Sequence, residues 1–455
     1  MKEHLLAKYS VPVPRYTSYP PANFFNESFT NETYHDAIIA SNNQEPDHIS
    51  IYIHIPFCFQ MCYYCGCNAV LLKDKSFVKA YIEALKKEIR MLLPMLCKER
   101  KISQIHYGGG TPTSQPVSVL KEINELILSE FDCIDNPEIA IECHPGYMDE
   151  DYWNALPELG FNRVSIGVQD LNDSVLKAVQ RKNSRLPLPD IMSILKGSNI
   201  AVNLDFIYGL PLQTIESYTQ TIRQAIEMRP DRIVTFSYAH VPWVNPLQQK
   251  LENIGLPATS EKSEIFQTAS RLLKDAGYQS IGLDHFVLPD DELYTAMQEK
   301  RLHRNFQGYC TRRTTGQVYA FGTTGISQLA GSYSQNVKDI PAYINSINEG
   351  RLPVLKGYTL NREEQIAREV ISTLMCNYVI NWGEIAGGLC LSVDEVKQAL
   401  NYNEKTLTEF AEDGIITFDE GHIRILPEAA PFVRNVAASL DKLMQGSDKK
   451  FSKAM

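Results

Sequence analysis

The chain has 455 residues, of which 44% are hydrophobic and 22% charged, with a formal net charge of −10. These values exclude disorder and collagen-like structure, and at this length a large domain plus a smaller one is the natural prior. The acidic balance lacks the basic footprint of non-specific nucleic-acid binding, although a local arginine cluster can still hold a small anion. The N-terminal MKEHLLAKYSVPVPRYTSYP has no apolar core of signal-peptide length. No apolar run reaches the roughly 18 residues of a membrane-spanning helix. A cytoplasmic protein is expected, with no nucleic-acid partner and no membrane span, working as a monomer.

Residues 1–48 are polar and proline-containing and read as an ordered arm. From SIYIHI (50–55) onward, short apolar strands alternate with amphipathic helical stretches. The next helix spans 75–96, where apolar residues recur every three or four positions. QIHY (104–107) precedes a helix near 116–130, and EIAIE (138–142) precedes one near 149–158. RVSIGV (163–168) is followed by helical segments to about 197, and AVNLDFIYG (201–209) and RIVTFSY (232–238) complete the series. Alternating strands and helices imply a parallel sheet with right-handed crossovers, here an α/β partial (β/α)6-type barrel. The segment 285–345 is rich in loop residues. A helix over NREEQIAREVISTLMCNYVI (361–380), helical pattern to about 412, a hairpin at 414–425 and a helix near 428–445 predict a mostly helical, winged-helix-like C-terminal domain. The expected division is an arm (1–48), a barrel domain (49–345) and a C-terminal domain (346–455), with a mobile polar tail from Gly446.

Ten cysteines are present, and four of them, Cys58, Cys62, Cys65 and Cys67, fall within ten residues. Clustered thiols point to metal rather than to a disulfide framework, and the scattered six are expected as small buried residues. Cys-x3-Cys-x2-Cys places three thiolates on one tight loop, enough for three corners of a four-iron cluster, with the fourth iron left open for a ligand. The competing reading is a zinc site closed by Cys67, against which stands the lack of a second Cys-x2-Cys pair. The loops after the strands form one face of such a barrel, and they carry GGGTPT (108–113), Glu142, Gln169-Asp170 and Ala239-His240 as well as the cysteines, while Asp205 lies within its strand.

With PRYTSYP (14–20), YIHIPFC (52–58), CGCN (65–68), GGGTPT, GFNRVSIGVQD (160–170), IYGLP (207–211), LHRNFQGY (302–309) and FSKAM, the chain resembles the radical S-adenosylmethionine (SAM) superfamily. Within it the chain is similar to the oxygen-independent coproporphyrinogen III oxidase family. The resemblance implies one [4Fe-4S] cluster on Cys58, Cys62 and Cys65, with Cys67 counted among the catalytic cysteines. It implies two SAM molecules, the first near Tyr52, Gly109, Glu142 and Ile326, the second near Tyr64, Gly110, Thr111, Gln169, Arg181, Asp205 and Ala239. The implied chemistry is hydrogen abstraction by a 5′-deoxyadenosyl radical and loss of carbon dioxide from two propionates of a tetrapyrrole, served by an unidentified electron donor and acceptor. Arg15, Arg304, Arg312 and Arg313 are candidate carboxylate partners, and Tyr16, Tyr19 and Phe306 candidate covers for the macrocycle, with surface charge and core packing as the alternatives. Read from sequence alone, Arg181 is a solvated charge and His144 a solvated loop histidine. Two other functions belong to the same superfamily: a haem chaperone, whose members typically lack PRYTSYP and the extra cysteine of CGCN, and a haem-modifying radical enzyme.

Overall fold

The computed structural model describes Leu5, residues 8–243 and 245–447, Lys449 and Phe451. The tail from Gly446 lies mostly outside these residues. Six strands follow in the expected order: β1 (Ile49–Ile55), β2 (Ile102–Gly109), β3 (Cys133–Cys143), β4 (Arg163–Gln169), β5 (Ala201–Tyr208) and β6 (Arg232–Ser237). Each pairs in parallel with the next. Helix α1 (Asn31–Ser41) precedes β1, and α2 (Lys75–Leu92), α3 (Val117–Leu128), α4 (Glu150–Glu158), α5 (Asp173–Ala178), α6 (Leu188–Gly197) and α7 (Ile215–Met228) fill the connections. After β6 come α8 (Gln249–Ile254) and α9 (Thr259–Asp275).

Local chemistry sets these elements. Asp74 accepts a hydrogen bond from Ser76 N and starts α2, whose Tyr81, Ile82, Leu85 and Ile89 pack into the core with the isoleucines of β1. Along β4 and β5 the side chains alternate. Val164, Ile166, Val202, Leu204 and Phe206 are buried in the core with helix residues such as Ile191 and Tyr218. Ser165, Asn203 and Asp205 point the other way and line a cavity of about 290 Å³. All six parallel strands contribute to that lining, so the sheet curves around it. The strand order is linear, and among the described residues its two ends do not pair, as a partial barrel requires.

The segment 285–345 is more structured than its composition suggests. Beyond β6 lie β7 (Gln279–Ile281) and β8 (His285–Val287), then α10 (Glu292–Gln298) and a hairpin of β9 (Leu302–Asn305) and β10 (Gly308–Thr311). Strands β11 (Gln317–Phe321), β12 (Ile326–Gln328) and β13 (Ser332–Asn336) follow, then α11 (Ile340–Asn348) and β14 (Val354–Thr359). The sheet has 12 strands in the order β14-β13-β12-β11-β1-β2-β3-β4-β5-β6-β8-β7. Most of the added strands are three to five residues long, too short for a periodic signal, and β11 also takes its register from the distant β1.

At the C-terminus, α12 (Arg362–Asn377) stops before the expected Ile380. Asn377 is held by the Leu302 backbone, Tyr378 turns at φ 57°, and Val379–Asn381 forms β15. Helices α13 (Trp382–Leu389), α14 (Val393–Gln398) and α15 (Glu404–Glu412) precede the hairpin of β16 (Ile416–Phe418) and β17 (His422–Ile425). The sheet order β15-β17-β16 with its helices is winged-helix-like. The last helix is broken: α16 (Val433–Leu440) lies between 3-10 turns at Pro427–Phe432 and Lys442–Met444, because the prolines supply no N–H and Asp441 is extended.

The arm packs into this C-terminal core through Leu5, Tyr9, Tyr16 and Tyr19. The phenols of Tyr16 and Tyr19 donate to the fully buried Asp441 carboxylate at 2.9 and 3.0 Å, and Leu443 N donates at 2.8 Å. Hydrogen bonds to a charged group contribute about 1.5–3 kcal/mol each, which offsets the cost of burying the carboxylate. Arg434 donates to the Val13 and Pro14 carbonyls. Tyr16 and Tyr19 are therefore core residues and do not cover a macrocycle. Phe306 is partly buried and packs edge-on to Tyr333. Of the scattered cysteines, Cys143, Cys310 and Cys376 are buried as expected, Cys133 is partly exposed, and Cys97 and Cys390 are exposed. No helix among the described residues is long and apolar enough to cross a membrane.

Candidate active site

The cysteine loop leaves the end of β1 and is pinned from two sides. Tyr63 N donates to Val179 O at 3.0 Å and Gln180 Nε2 to Met61 O at 2.9 Å, from the connection after α5. Asn245 and Gln248, after β6, donate to the carbonyls of Cys65 and Tyr64. A two-residue ladder, Phe57–Cys58 with Val70–Leu71, closes the base of the loop. Neither Asn245 nor Gln248 was read as functional, since their partners lie about 180 residues away.

Cys58 Sγ lies 3.3 Å from Thr111 Oγ1, and the Arg181 guanidinium reaches Cys62 Sγ at 3.7 Å. Hydrogen bonds from the Cys67 side chain and backbone N–H, with the charge of Arg181 nearby, bring the Cys65 thiol down to about 6 against the opposing effect of burial. Burial pushes the Cys58 thiol up to about 11, a preference that coordination reverses because a metal-bound thiol is deprotonated outright. Cys67 hydrogen-bonds Cys65 and is a neighbour of the trio. Among the described residues no three acidic, histidine or cysteine side chains converge around a single ion. Corners of a four-iron cluster lie further apart than the ligands of one ion, and three soft thiols on one short loop fit that group.

The turn at the end of β2 forms the adjoining wall. A Cβ on Gly108 would lie 2.9 Å from Glu142 Oε1, one on Gly109 2.9 Å from Ile55 O, and one on Gly110 2.7 Å from Pro56 O and 3.0 Å from Cys58 Sγ. Gly109 also has φ +122°. Tyr52 donates to or accepts from His54 Nδ1 at 3.1 Å and stacks on His106, which in turn meets Glu142 at 3.2 Å. Asp205 accepts from Ser165 at 2.6 Å and from Asn203 at 2.8 Å; among the described residues it forms no ion pair, and burial raises its carboxyl to about 6. Gln169, at φ +71°, keeps its buried Oε1 without a partner, an acceptor left for a ligand.

Two sequence readings change here. Arg181 is no solvated charge: it turns inward to the Gly167 carbonyl and Cys62. His144 is 7% exposed, lies against Tyr147, and is held neutral by burial and by Arg181, at about 2. The structure thus brings together the cysteines, Tyr52, Tyr64, the glycine turn, Thr111, Glu142, Gln169, Arg181 and Asp205. Ala239 is exposed just past β6. Ile326 sits apart on β12, packed against a small cluster of Phe25, Tyr333 and Leu360. Arg312 pairs with Glu369 and Arg313 with Glu292, so both are engaged elsewhere.

Arg181→Ala is expected to lower turnover about tenfold or more, the cost of one charge-assisted contact, while iron content stays near that of the unaltered protein. Arg181→Lys should recover little, because the ammonium cannot span the Gly167 carbonyl and the Cys62 sulfur together. Iron assay beside steady-state kinetics checks both.

An α/β partial barrel with an open cysteine trio beside a glycine turn defines the class, and the Radical SAM superfamily matches residues 52–225. The oxygen-independent coproporphyrinogen III oxidase of Synechocystis sp. is 37% identical over 455 residues, covering 99% of this chain and 97% of that protein. Its namesake in Helicobacter pylori is 36% identical, covering 99% and 98%. The solved structure of coproporphyrinogen III oxidase from Escherichia coli, described as a radical SAM enzyme, superposes with a TM-score of 0.87 at 34% identity, covering 97% of this chain and 99% of that one. The chain belongs to the oxygen-independent coproporphyrinogen III oxidase family.

Proposed function

We infer that this chain oxidises coproporphyrinogen III without oxygen, converting two propionates to vinyl groups and giving protoporphyrinogen IX. Each propionate loses one hydrogen atom, carbon dioxide and one electron. The observation that carries this reading is the three-thiol loop beside the Gly108–Gly110 turn, with Cys58 Sγ 3.0 Å from where a Cβ on Gly110 would stand, in a chain alike in sequence from end to end to the oxidases. When bound, a [4Fe-4S] cluster and SAM supply one-electron cleavage of the sulfonium and, through it, hydrogen-atom abstraction.

The chain's own residues hold and orient. Cys58, Cys62 and Cys65 are assigned to the cluster. The Gly108–Gly110 backbone, with no Cβ in the way, admits the first SAM beside Tyr52 and Glu142, with Ile326 as an outer contact. Tyr64, Gly110, Thr111, Gln169, Arg181, Asp205 and Ala239 are assigned to a second SAM, supported by the unpartnered Gln169 Oε1 and by an Asp205 that forms no ion pair among the described residues. We take the working unit as a monomer in the cytoplasm, composed of an arm (1–48), a barrel domain (49–345) and a C-terminal domain (346–455). It draws electrons from a separate donor and passes the substrate electron to a separate acceptor.

Anaerobically reconstituted protein given coproporphyrinogen III, SAM and a reductant is expected to form protoporphyrinogen IX with two equivalents of carbon dioxide. Haem binding without any such product would assign the chain to the chaperones of this fold instead.

A further inference from the structure

Lys262 lies on α9, its methylenes packed where a Cβ on Gly209 would stand 2.7 Å away. Its ammonium donates to the Tyr238 carbonyl at 2.6 Å and sits 5.8 Å from the Tyr208 ring centroid. Among the described residues it has no carboxylate partner, and neither has the exposed Arg15. Lys262 stands at the end of β5 and β6, and burial, and then the Arg15 charge, hold its ammonium below the usual lysine range. Arg15 is also felt at Tyr208 and Asp284.

A third cation, Arg304, lies 4.7 Å over the Tyr309 ring and keeps a buried Nε without a partner. Tyr309 in turn meets His285 edge-on at 5.1 Å, and His285 Nδ1 is 2.7 Å from Asp284. Phe236, 40% exposed and edge-on to His285 at 6.3 Å, lines the cavity together with His285 and Tyr309. Asp284 acts on both Arg304 and Arg15, but Lys262 has no carboxylate of its own among the described residues, so positive charge stays in excess at this rim and calls for an anion from outside. An apolar ring face beside them adds the second half of the requirement: a flat apolar body carrying carboxylates.

We propose that Lys262 and Arg15, backed by Arg304 and the Asp284–His285 pair, seat a carboxylate of the porphyrinogen while Phe236 lies under its ring. The assignment rests on the reaction inferred above and names where its substrate is held. The alternative source of a carboxylate, the methionine portion of SAM, is separated by the kinetics.

Lys262→Met keeps the packed stem and removes the charge. In anaerobic steady-state assays of the reconstituted full-length protein, it is expected to raise the KM for coproporphyrinogen III about tenfold, the loss of one hydrogen bond to a charged group. The kcat, the KM for SAM and the iron content should move far less. Lys262→Arg should restore most of the KM, and Arg15→Ala, an exposed change that cannot disturb packing, should shift it in the same direction. An unchanged KM for coproporphyrinogen III in both charge-removing variants, or a rise confined to SAM, overturns the seat and leaves the reaction standing. Should Lys262→Met fail to fold, Arg15→Ala decides alone. No turnover of coproporphyrinogen III by the unaltered chain overturns both.

Discussion

Cys62→Ala will leave protein that neither retains its iron nor cleaves SAM. Cys62 is 8% exposed and is the middle member of the trio, so its loss removes a ligand that no other cysteine on the loop replaces. Cys67, the one spare thiol nearby, is already bonded to Cys65 and lies beyond the far end of the motif. The loop itself should persist, because its backbone is held by Val179, Gln180, Asn245 and Gln248 rather than by the thiols. Circular dichroism should therefore be unchanged while iron per chain and 5′-deoxyadenosine formation fall to background. Retained SAM cleavage in this variant would falsify the assignment of the cluster to this loop.

Gly110→Ala is expected to cost about a hundredfold or more in turnover, since a misplacement of about 1 Å at a reacting centre has that effect. The added methyl would meet Pro56 C and O at 2.7 Å, and backbone cannot swing aside as a side chain can. Either the 108–111 turn or the first residues of the cysteine loop must move, and Cys58 Sγ at 3.0 Å moves with them. Gly66→Ala on the same loop, where a Cβ would meet nothing within 4 Å, is the matched control and should keep most of the activity. Equal activity of the two variants would show that the close approach of the two loops is unimportant.

How much of this was legible from residues alone follows the reach of each interaction. The six parallel strands carry their signal locally, in runs such as IYIHI and RVSIGV, and all six fall where expected. The cysteine trio was legible for the same reason, since its spacing is the chemistry. The strands β11 to β14 carry no such mark: β11 takes its register from the distant β1, and Ser332–Asn336 is a mostly polar run that becomes a strand only by pairing with β12 and β14. Arg181 and His144 were misplaced because polar residues carry no sequence mark of burial. A guanidinium facing a sulfur is visible only once the connection after α5 is folded over the loop. Lys262 was overlooked on the same ground: its meaning lies in Gly209, Tyr208 and Tyr238, none of them its neighbours in the chain.

The clasp of Tyr16 and Tyr19 on Asp441 joins residues more than 420 positions apart. During synthesis the arm emerges first and its dock last, so Arg15 can reach its place only once residues up to 441 have left the ribosome. Loop-closure entropy rises only with the logarithm of length, so the wait is long but the thermodynamic burden is modest. Damage near the C-terminus is thereby transmitted to the mouth of the barrel: losing Asp441 would release Arg15, the neighbour of Tyr16, with every residue of the barrel intact.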